Sequence, residues 1–119
     1  MAKVLVVDDS SIIRMQLKNM LEELGHEVVD LAQDGKIGYE KYKELQPDLV
    51  TMDINMPNLN GHQAVKKIIA EFPEALIIMV SSIEDRTITY DCIGDGAIDF
   101  INKPIHIDEL KQKIDEALE

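Results

Sequence analysis

Short apolar runs alternate along the chain with longer stretches in which apolar residues recur at helical spacing. The short runs are apolar almost throughout, which predicts strands of a parallel sheet that is buried on both faces. The longer stretches have apolar residues three and four positions apart, the pattern of an amphipathic helix. The predicted strands are Val4–Val7, Val28–Leu31, Leu49–Met52, Leu76–Val80 and Ala97–Ile101, and the predicted helices are Ser10–Leu24, Gly35–Leu45, Ala64–Phe72, Glu84–Ile93 and Asp108–Leu118.

The order of these elements predicts the fold class. Strict alternation of strand and helix is typical of a doubly wound α/β domain, with helices on both faces of one parallel sheet. In such sheets the loops after the carboxyl ends of the strands form the binding crevice. The polar residues that follow each strand are therefore the first candidates for function.

Composition narrows the classes of function. The 119 residues have the length of one domain, and a formal net charge of −11 disfavours binding to nucleic acid, whose phosphates would be repelled. The longest apolar run, Ala75–Val80, is far too short to cross a bilayer. Cys92 is the only cysteine, so no internal disulfide can form, as is typical of proteins in the reducing cytoplasm.

Acidic, hydroxyl and basic side chains follow four of the predicted strands. Asp8 and Asp9 follow the first strand and Asp53 the third, whereas Ser81 and Lys103 follow the fourth and fifth. Three carboxylates at one edge of a sheet repel one another unless a cation lies between them, and Mg²⁺ prefers oxygen ligands. With a lysine and a hydroxyl nearby, this set suits phosphoryl transfer, in which a carboxylate can accept the phosphoryl group.

Most of these residues also have a purely structural interpretation. Asp9 or Ser10 has the residue type of a helix N-cap, and Ser81 has the spacing of a capping box with a glutamate three positions later. Lys103 precedes a proline and could belong only to a turn, with a cis peptide bond. Asp53 is harder to explain in this way, because a carboxylate at the end of a buried strand needs a partner.

The segments around these residues resemble receiver domains of two-component response regulators. The resemblance covers Lys3 to Leu118 and rests on VLVVDDS, DLVTMDINMPNLNG, IIMVSS and GAIDFINKP. It implies a flavodoxin-like sheet of five parallel strands in the order 2-1-3-4-5, an order already known for this fold and taken from it. In size the chain is similar to the stand-alone members of the family that act in chemotaxis.

The resemblance implies a role for each acidic candidate. Asp53 matches the aspartate that accepts a phosphoryl group from a histidine kinase. Asp8 and Asp9 match the acidic pair of a Mg²⁺ site, with Asp9 as a direct ligand, Asp8 acting chiefly through water, and the backbone carbonyl of Asn55 completing the site. The implied function is a phosphorylation-dependent signalling switch that promotes its own phosphorylation and dephosphorylation and acts on no separate substrate.

Other matched positions concern the response to phosphorylation. Ser81 matches the hydroxyl that moves onto the phosphoryl group, Lys103 the lysine that pairs with it, and Phe100 the aromatic switch residue that turns inward. Gly38 stands where the family usually has alanine, which is expected to soften the second helix by about 1 kcal/mol. The face expected to bind a downstream partner consists of Glu84–Ile93, Ala97–Ile101 and Asp108–Leu118.

Two other functions remain to be weighed against the switch. A docking domain that works without phosphorylation would have the same fold, but such domains usually lose an acidic residue or the lysine. An aspartyl-phosphate phosphohydrolase of the haloacid-dehalogenase type normally has two aspartates separated by one residue and a large cap insertion. Asp8 and Asp9 are adjacent here, and the chain has no room for a cap.

Overall fold

The structure is a computed structural model that describes all residues from Met1 to Glu119. Strands and helices alternate along the chain as the sequence predicts, with one short 3₁₀ turn, Ile83–Asp85, before the fourth helix. The strands are β1 (Lys3–Val7), β2 (Glu27–Ala32), β3 (Leu49–Asp53), β4 (Ile77–Ser81) and β5 (Asp99–Asn102), and the helices are α1 (Ser11–Glu23), α2 (Gly35–Leu45), α3 (Gly61–Glu71), α4 (Arg86–Gly94) and α5 (Ile107–Ala117).

All five strands belong to one parallel sheet. Their order is β2-β1-β3-β4-β5, which confirms the predicted fold class and the strand order implied by the resemblance. Because the strands are parallel, their carboxyl ends meet at a single edge. The loops after β1, β3, β4 and β5 are neighbours at that edge, and they carry the candidate residues.

The core lies on both faces of the sheet. Leu5 and Val7 of β1 pack with α2, α3 and α4, whereas Val4 and Val6 pack with α1 and α5. Alternate residues of a strand point to opposite faces, so a strand covered on both sides is apolar at every position. None of the helices is both long and apolar enough to span a membrane.

Some predicted element boundaries are wrong by two or more residues. Helix α3 begins at Gly61 rather than Ala64, because the side chain of Asn60 accepts the Gln63 N–H and caps the helix there. Strand β5 begins at Asp99 rather than Ala97, because the Ala97 N–H still donates to the carbonyl of Cys92 at 3.0 Å and so belongs to the end of α4.

Gly38 has a packing role that the sequence does not indicate. A Cβ at this position would lie 2.8 Å from Cγ1 of Val7, so the glycine allows α2 to pack closely against β1. An alanine would raise helix propensity but would push against this contact. Gly38 therefore has two opposing effects on stability: it lowers the helix propensity of α2, and it allows α2 to pack closely against Val7.

Candidate functional site

The candidate residues come together at the carboxyl edge of the sheet. Asp53 is the last residue of β3 and Ser81 the last of β4, while Asp8 directly follows β1 and Lys103 directly follows β5. The Lys103 N–H donates to the carbonyl of Ser81 at 2.8 Å, which fixes the start of the last loop beside β4. Lys103 Nζ lies 3.2 Å from Asp53 Oδ1 and 3.4 Å from Asp8 Oδ2, so one ammonium contacts two strand ends.

Three carboxylates share this small space. Asp8, Asp9 and Asp53 each offer one oxygen, and these oxygens lie within 4.8 Å of one another. Asp8 is fully buried and Asp53 is 6% exposed. Burial and, to a smaller extent, the neighbouring charge of Asp8 raise the pKa of Asp53 to about 6. Burial also raises the pKa of Asp8, so the ionised pair is destabilised in the absence of a further cation.

Lys103 neutralises the cluster only in part. Burial alone would lower the pKa of its ammonium, but the attraction of Asp53 and Asp8 outweighs burial and raises that pKa. The ammonium therefore stays charged at neutral pH. A single lysine among three carboxylates still leaves excess negative charge.

The donor atoms fit a divalent cation that takes oxygen ligands. Asp8 Oδ1 accepts the Ser10 N–H at 2.9 Å, whereas Oδ2 of the same carboxylate is buried and has only the Lys103 ammonium nearby, at 3.4 Å, without a hydrogen bond. A buried carboxylate oxygen held by one ion pair alone, beside two further carboxylates, is a binding position for a hard cation such as Mg²⁺. Asn55 lies two residues after Asp53, and its carbonyl as a further ligand stays a prediction.

The two oxygens of Asp53 have different surroundings. Oδ1 accepts the N–H of Ile54 at 2.8 Å and lies beside Lys103, whereas Oδ2 accepts no hydrogen bond. The backbone and the lysine thus fix the orientation of the carboxylate. The arrangement can hold one oxygen in place while the other acts as a nucleophile.

The loop after Asp53, residues 54–60, is called the acceptor loop below and is fixed at several points. At its end the Gly61 N–H donates to the carbonyl of Ile54 at 2.8 Å, and a Cβ on Gly61 would lie 2.0 Å from the carbonyl oxygen of Asp53. Asn58, at φ 66°, donates to the carboxylate of Asp34 at 2.8 Å. Asp34 is buried and also caps α2, but no sequence signal indicated that it would hold a loop 24 residues away.

The structural interpretations of the candidates are mostly excluded. Ser10, not Asp9, caps α1 by accepting the N–H of Ile13 at 3.3 Å. Ser81 forms no capping hydrogen bond, and the one capping box in the chain is that of Asn60 at the start of α3. The Lys103–Pro104 peptide bond is cis, yet the lysine also reaches two carboxylates and is more than part of a turn.

Comparison with known proteins places this geometry in a family. Residues 4–115 match the response regulator receiver domain. The chain belongs to this family. It is 46% identical to the chemotaxis protein CheY of Thermotoga maritima over 86% of this chain and 85% of that protein. It is 43% identical to CheY of Bacillus subtilis, with 98% and 97% of the two chains covered.

A solved structure shows the same fold. In the complex of CheX, CheY, BeF₃ and Mg²⁺ from Borrelia burgdorferi, the matching chain is 32% identical and superimposes with a TM-score of 0.93. The match covers 98% of this receiver domain and 89% of that chain. Homology to CheY is consistent with a phosphorylation-dependent signalling switch, and the docking domain and the phosphohydrolase are not favoured. The CheY homologues are signalling proteins rather than enzymes in the usual sense.

The predicted switch residue of this receiver, Phe100, lies between two helices. Its ring is half-buried, and the guanidinium carbon of Arg86 lies 5.5 Å from the ring centroid. The ring of Tyr90 meets it edge-on at a centroid distance of 6.1 Å, and Lys113 Nζ of α5 lies 6.0 Å away. These contacts place Phe100 where a change of rotamer would alter both α4 and α5, and the switching itself stays a prediction.

Proposed function

We propose that this receiver domain accepts a phosphoryl group from a histidine kinase on Asp53 and then binds a downstream partner with changed affinity. The observation that carries the proposal is the position of Lys103, 3.2 Å from Oδ1 of Asp53 within a cluster of three carboxylates. In the transfer, Asp53 Oδ2 forms a bond to phosphorus, and the bond between phosphorus and the kinase histidine nitrogen breaks. That nitrogen keeps the electron pair of the broken bond.

Charge neutralisation is the main task of the other residues. Asp8, Asp9 and Asp53, with the carbonyl of Asn55, would hold Mg²⁺, which supplies positive charge to the phosphoryl oxygens when it is bound. Lys103 supplies a second positive charge, beside Oδ1 of the acceptor. In this proposal the domain promotes its own phosphorylation and dephosphorylation.

The hydroxyl of Ser81 is the candidate for reading the phosphorylation state. Ser81 ends β4, beside β3 and its terminal Asp53, so a small shift would bring its hydroxyl to a phosphoryl oxygen. The shift would reach α4 and Phe100 first, because α4 follows Ser81 in the chain and β5 pairs with β4.

We assign the partner to the face formed by 84–93, 97–101 and 108–118. Large apolar side chains are exposed on each of these segments, which is a property of interaction surfaces. The exposed side chains are those of Ile88, Tyr90, Ile98 and Leu118.

The cytoplasm is the proposed location of the protein, since the single cysteine is buried and unpaired.

Phosphorylation at Asp53 can be tested by intact mass spectrometry. Incubation with Mg²⁺ and acetyl phosphate should add one phosphoryl group to the wild type and none to Asp53→Asn. Asp48→Asn is a matched control, because Asp48 precedes the same strand at its other end, where its carboxylate accepts the N–H of Lys3. Equal labelling of Asp53→Asn and wild type would refute the assignment.

The partner face can be tested by hydrogen exchange with and without beryllofluoride, a mimic of the bound phosphoryl group. We expect altered protection in residues 84–100 as well as in the acceptor loop. A change confined to the acceptor loop would exclude this face as the output surface.

A further inference from the structure

A pair of hydrogen bonds joins the acceptor loop to the segment that follows β4. Oδ2 of Asp85 accepts the side-chain amide of Asn55 and the hydroxyl of Ser82, each at 2.9 Å. Asn55 lies two residues after Asp53, and Ser82 directly follows Ser81. One carboxylate oxygen therefore connects the loop of the phosphoryl acceptor with the segment of the hydroxyl that is proposed to move.

Asp85 makes these bonds instead of a helix cap. It directly precedes α4, but it is the last residue of the 3₁₀ turn Ile83–Asp85, with φ −96° and ψ 14°, and its side chain forms no capping hydrogen bond. The N-cap residues of α1, α2 and α3 all accept a backbone N–H of their own helix. The start of α4 is therefore held by the 3₁₀ turn and by the hydrogen bonds of the Asp85 carboxylate to Asn55 and Ser82, not by a side-chain cap.

These two hydrogen bonds respond to a movement of Ser81. If Ser81 moves towards Asp53, the adjacent Ser82 moves with it and its bond to Asp85 is strained. The Asp85 carbonyl accepts the hydroxyl of Thr89 at 2.9 Å, so the strain is passed to the start of α4.

We propose that Asp85 is a positioning residue that holds the Ser81–Ser82 segment and the start of α4 in the resting arrangement. The inference rests on the proposed function, in which Ser81 moves after phosphorylation. A ligand shifts the populations of two arrangements only by its difference in affinity for them. A switch therefore requires two arrangements that are close in free energy. Breaking the resting bonds should therefore shift the domain towards the arrangement that phosphorylation favours.

The first measurement uses neither Mg²⁺ nor a phosphodonor. Hydrogen exchange of residues 54–60 and 82–90 is compared in wild type, Asp85→Ala and Asp85→Asn. Asp85→Ala should exchange faster in both segments by roughly three- to tenfold, the range expected for one lost hydrogen bond. Asp85→Asn keeps an acceptor oxygen and should stay near wild type.

Two further variants separate the hydrogen bonds from the charge. Glu84→Ala removes the adjacent carboxylate, which makes no hydrogen bond, and should leave exchange in both segments unchanged. Asn55→Ala by itself should speed exchange. In the Asp85→Ala background it should add nothing further, because that variant has already lost the hydrogen bond between the two side chains. An equal response to Glu84→Ala, or failure of Asp85→Asn to resemble wild type, would overturn the proposal.

The second measurement distinguishes positioning from mere support of the fold. The rate of labelling by acetyl phosphate with Mg²⁺ should rise severalfold in Asp85→Ala, because less of the population is held at rest. A slower rate, or unchanged exchange in the first measurement, would show that Asp85 is only structural. If wild type itself is not labelled, the proposed function fails, while the exchange comparison still decides whether Asp85 restrains the two segments.

Discussion

The acceptor loop and the segment 82–94, here called the switch segment, lie side by side at the same sheet edge but are restrained very differently. The acceptor loop is fixed by the bond from Gly61 to Ile54, by the bond from Asn58 to the buried Asp34, and by a glycine that leaves no space for a Cβ. The switch segment is tied across the site by the carboxylate of Asp85, and it begins with an uncapped helix.

This difference suits the two tasks of a phosphorylation switch. The nucleophile must be held in a fixed orientation, because misplacement of a reacting atom by even 1 Å slows transfer. The reading element must instead have a second arrangement within a few kcal/mol, which requires low local stability. Strong restraint beside Asp53 and weak restraint after Ser81 therefore belong to the same mechanism.

The largest effect is expected from adding one methyl group directly after the acceptor loop, in contrast to one added in the switch segment. Gly61→Ala places a Cβ 2.0 Å from the Asp53 carbonyl oxygen, which is backbone, so the free energy of unfolding should fall by about 3 kcal/mol or more. Gly94→Ala, in α4, meets nothing within 4 Å and should be neutral or stabilising by up to about 1 kcal/mol. Urea unfolding measures both, and similar losses would remove the proposed contrast.

A smaller effect is expected from the charge of the acceptor. Burial raises the pKa of Asp53 to about 6, above the ordinary value of 3.8 for an aspartate, so the folded state takes up a proton more readily than the unfolded state. Without Mg²⁺, wild-type stability should therefore decline as the pH rises from about 4 to 6. Asp53→Asn should be more stable than wild type by about 2–3 kcal/mol at pH 7.5, a difference that vanishes below about pH 4.

The control for this pH dependence is an exposed carboxylate. Asp91→Asn removes the charge of a side chain that is exposed and makes no hydrogen bond, so the variant should differ little from wild type in stability. Thermal or urea unfolding from pH 4 to 8 gives the comparison. A constant advantage of Asp53→Asn across this range would show that packing, not charge, limits stability at the acceptor.

What the sequence predicts well is whatever depends on local pattern. The run Val4–Val7 is buried on both faces and therefore apolar at each position, so β1 is predicted to within one residue. Asp53 and Lys103 could be placed together because parallel strands bring their carboxyl ends to one edge. The boundary of β5 is less well predicted, because the apolar Ala97 serves the end of α4 rather than the sheet.

The cross-site contacts have no such pattern. The bond between Asn58 and Asp34 spans 24 residues, and the bond between Asn55 and Asp85 spans 30. Asp34 and Asp85 both directly precede a helix, yet only Asp34 has the extended backbone of an N-cap and caps its helix. Which of these roles a carboxylate adopts depends on where tertiary packing places a neighbouring loop.

The smallest predicted effect concerns the local stability of α4. Thr87 is exposed in this helix, and Thr87→Ala should stabilise it by about 0.5 kcal/mol through helix propensity. If α4 opens locally, exchange of its amides should slow roughly twofold. Lys66→Thr, at an exposed position of α3, is a control that lowers the stability of the whole domain. It should speed exchange of the β3 amides, which open only when the whole domain unfolds, and leave exchange of the α4 amides unchanged. Faster exchange of α4 in Lys66→Thr, by the same factor as β3, would mean that α4 opens only when the domain unfolds and has no independent freedom to switch.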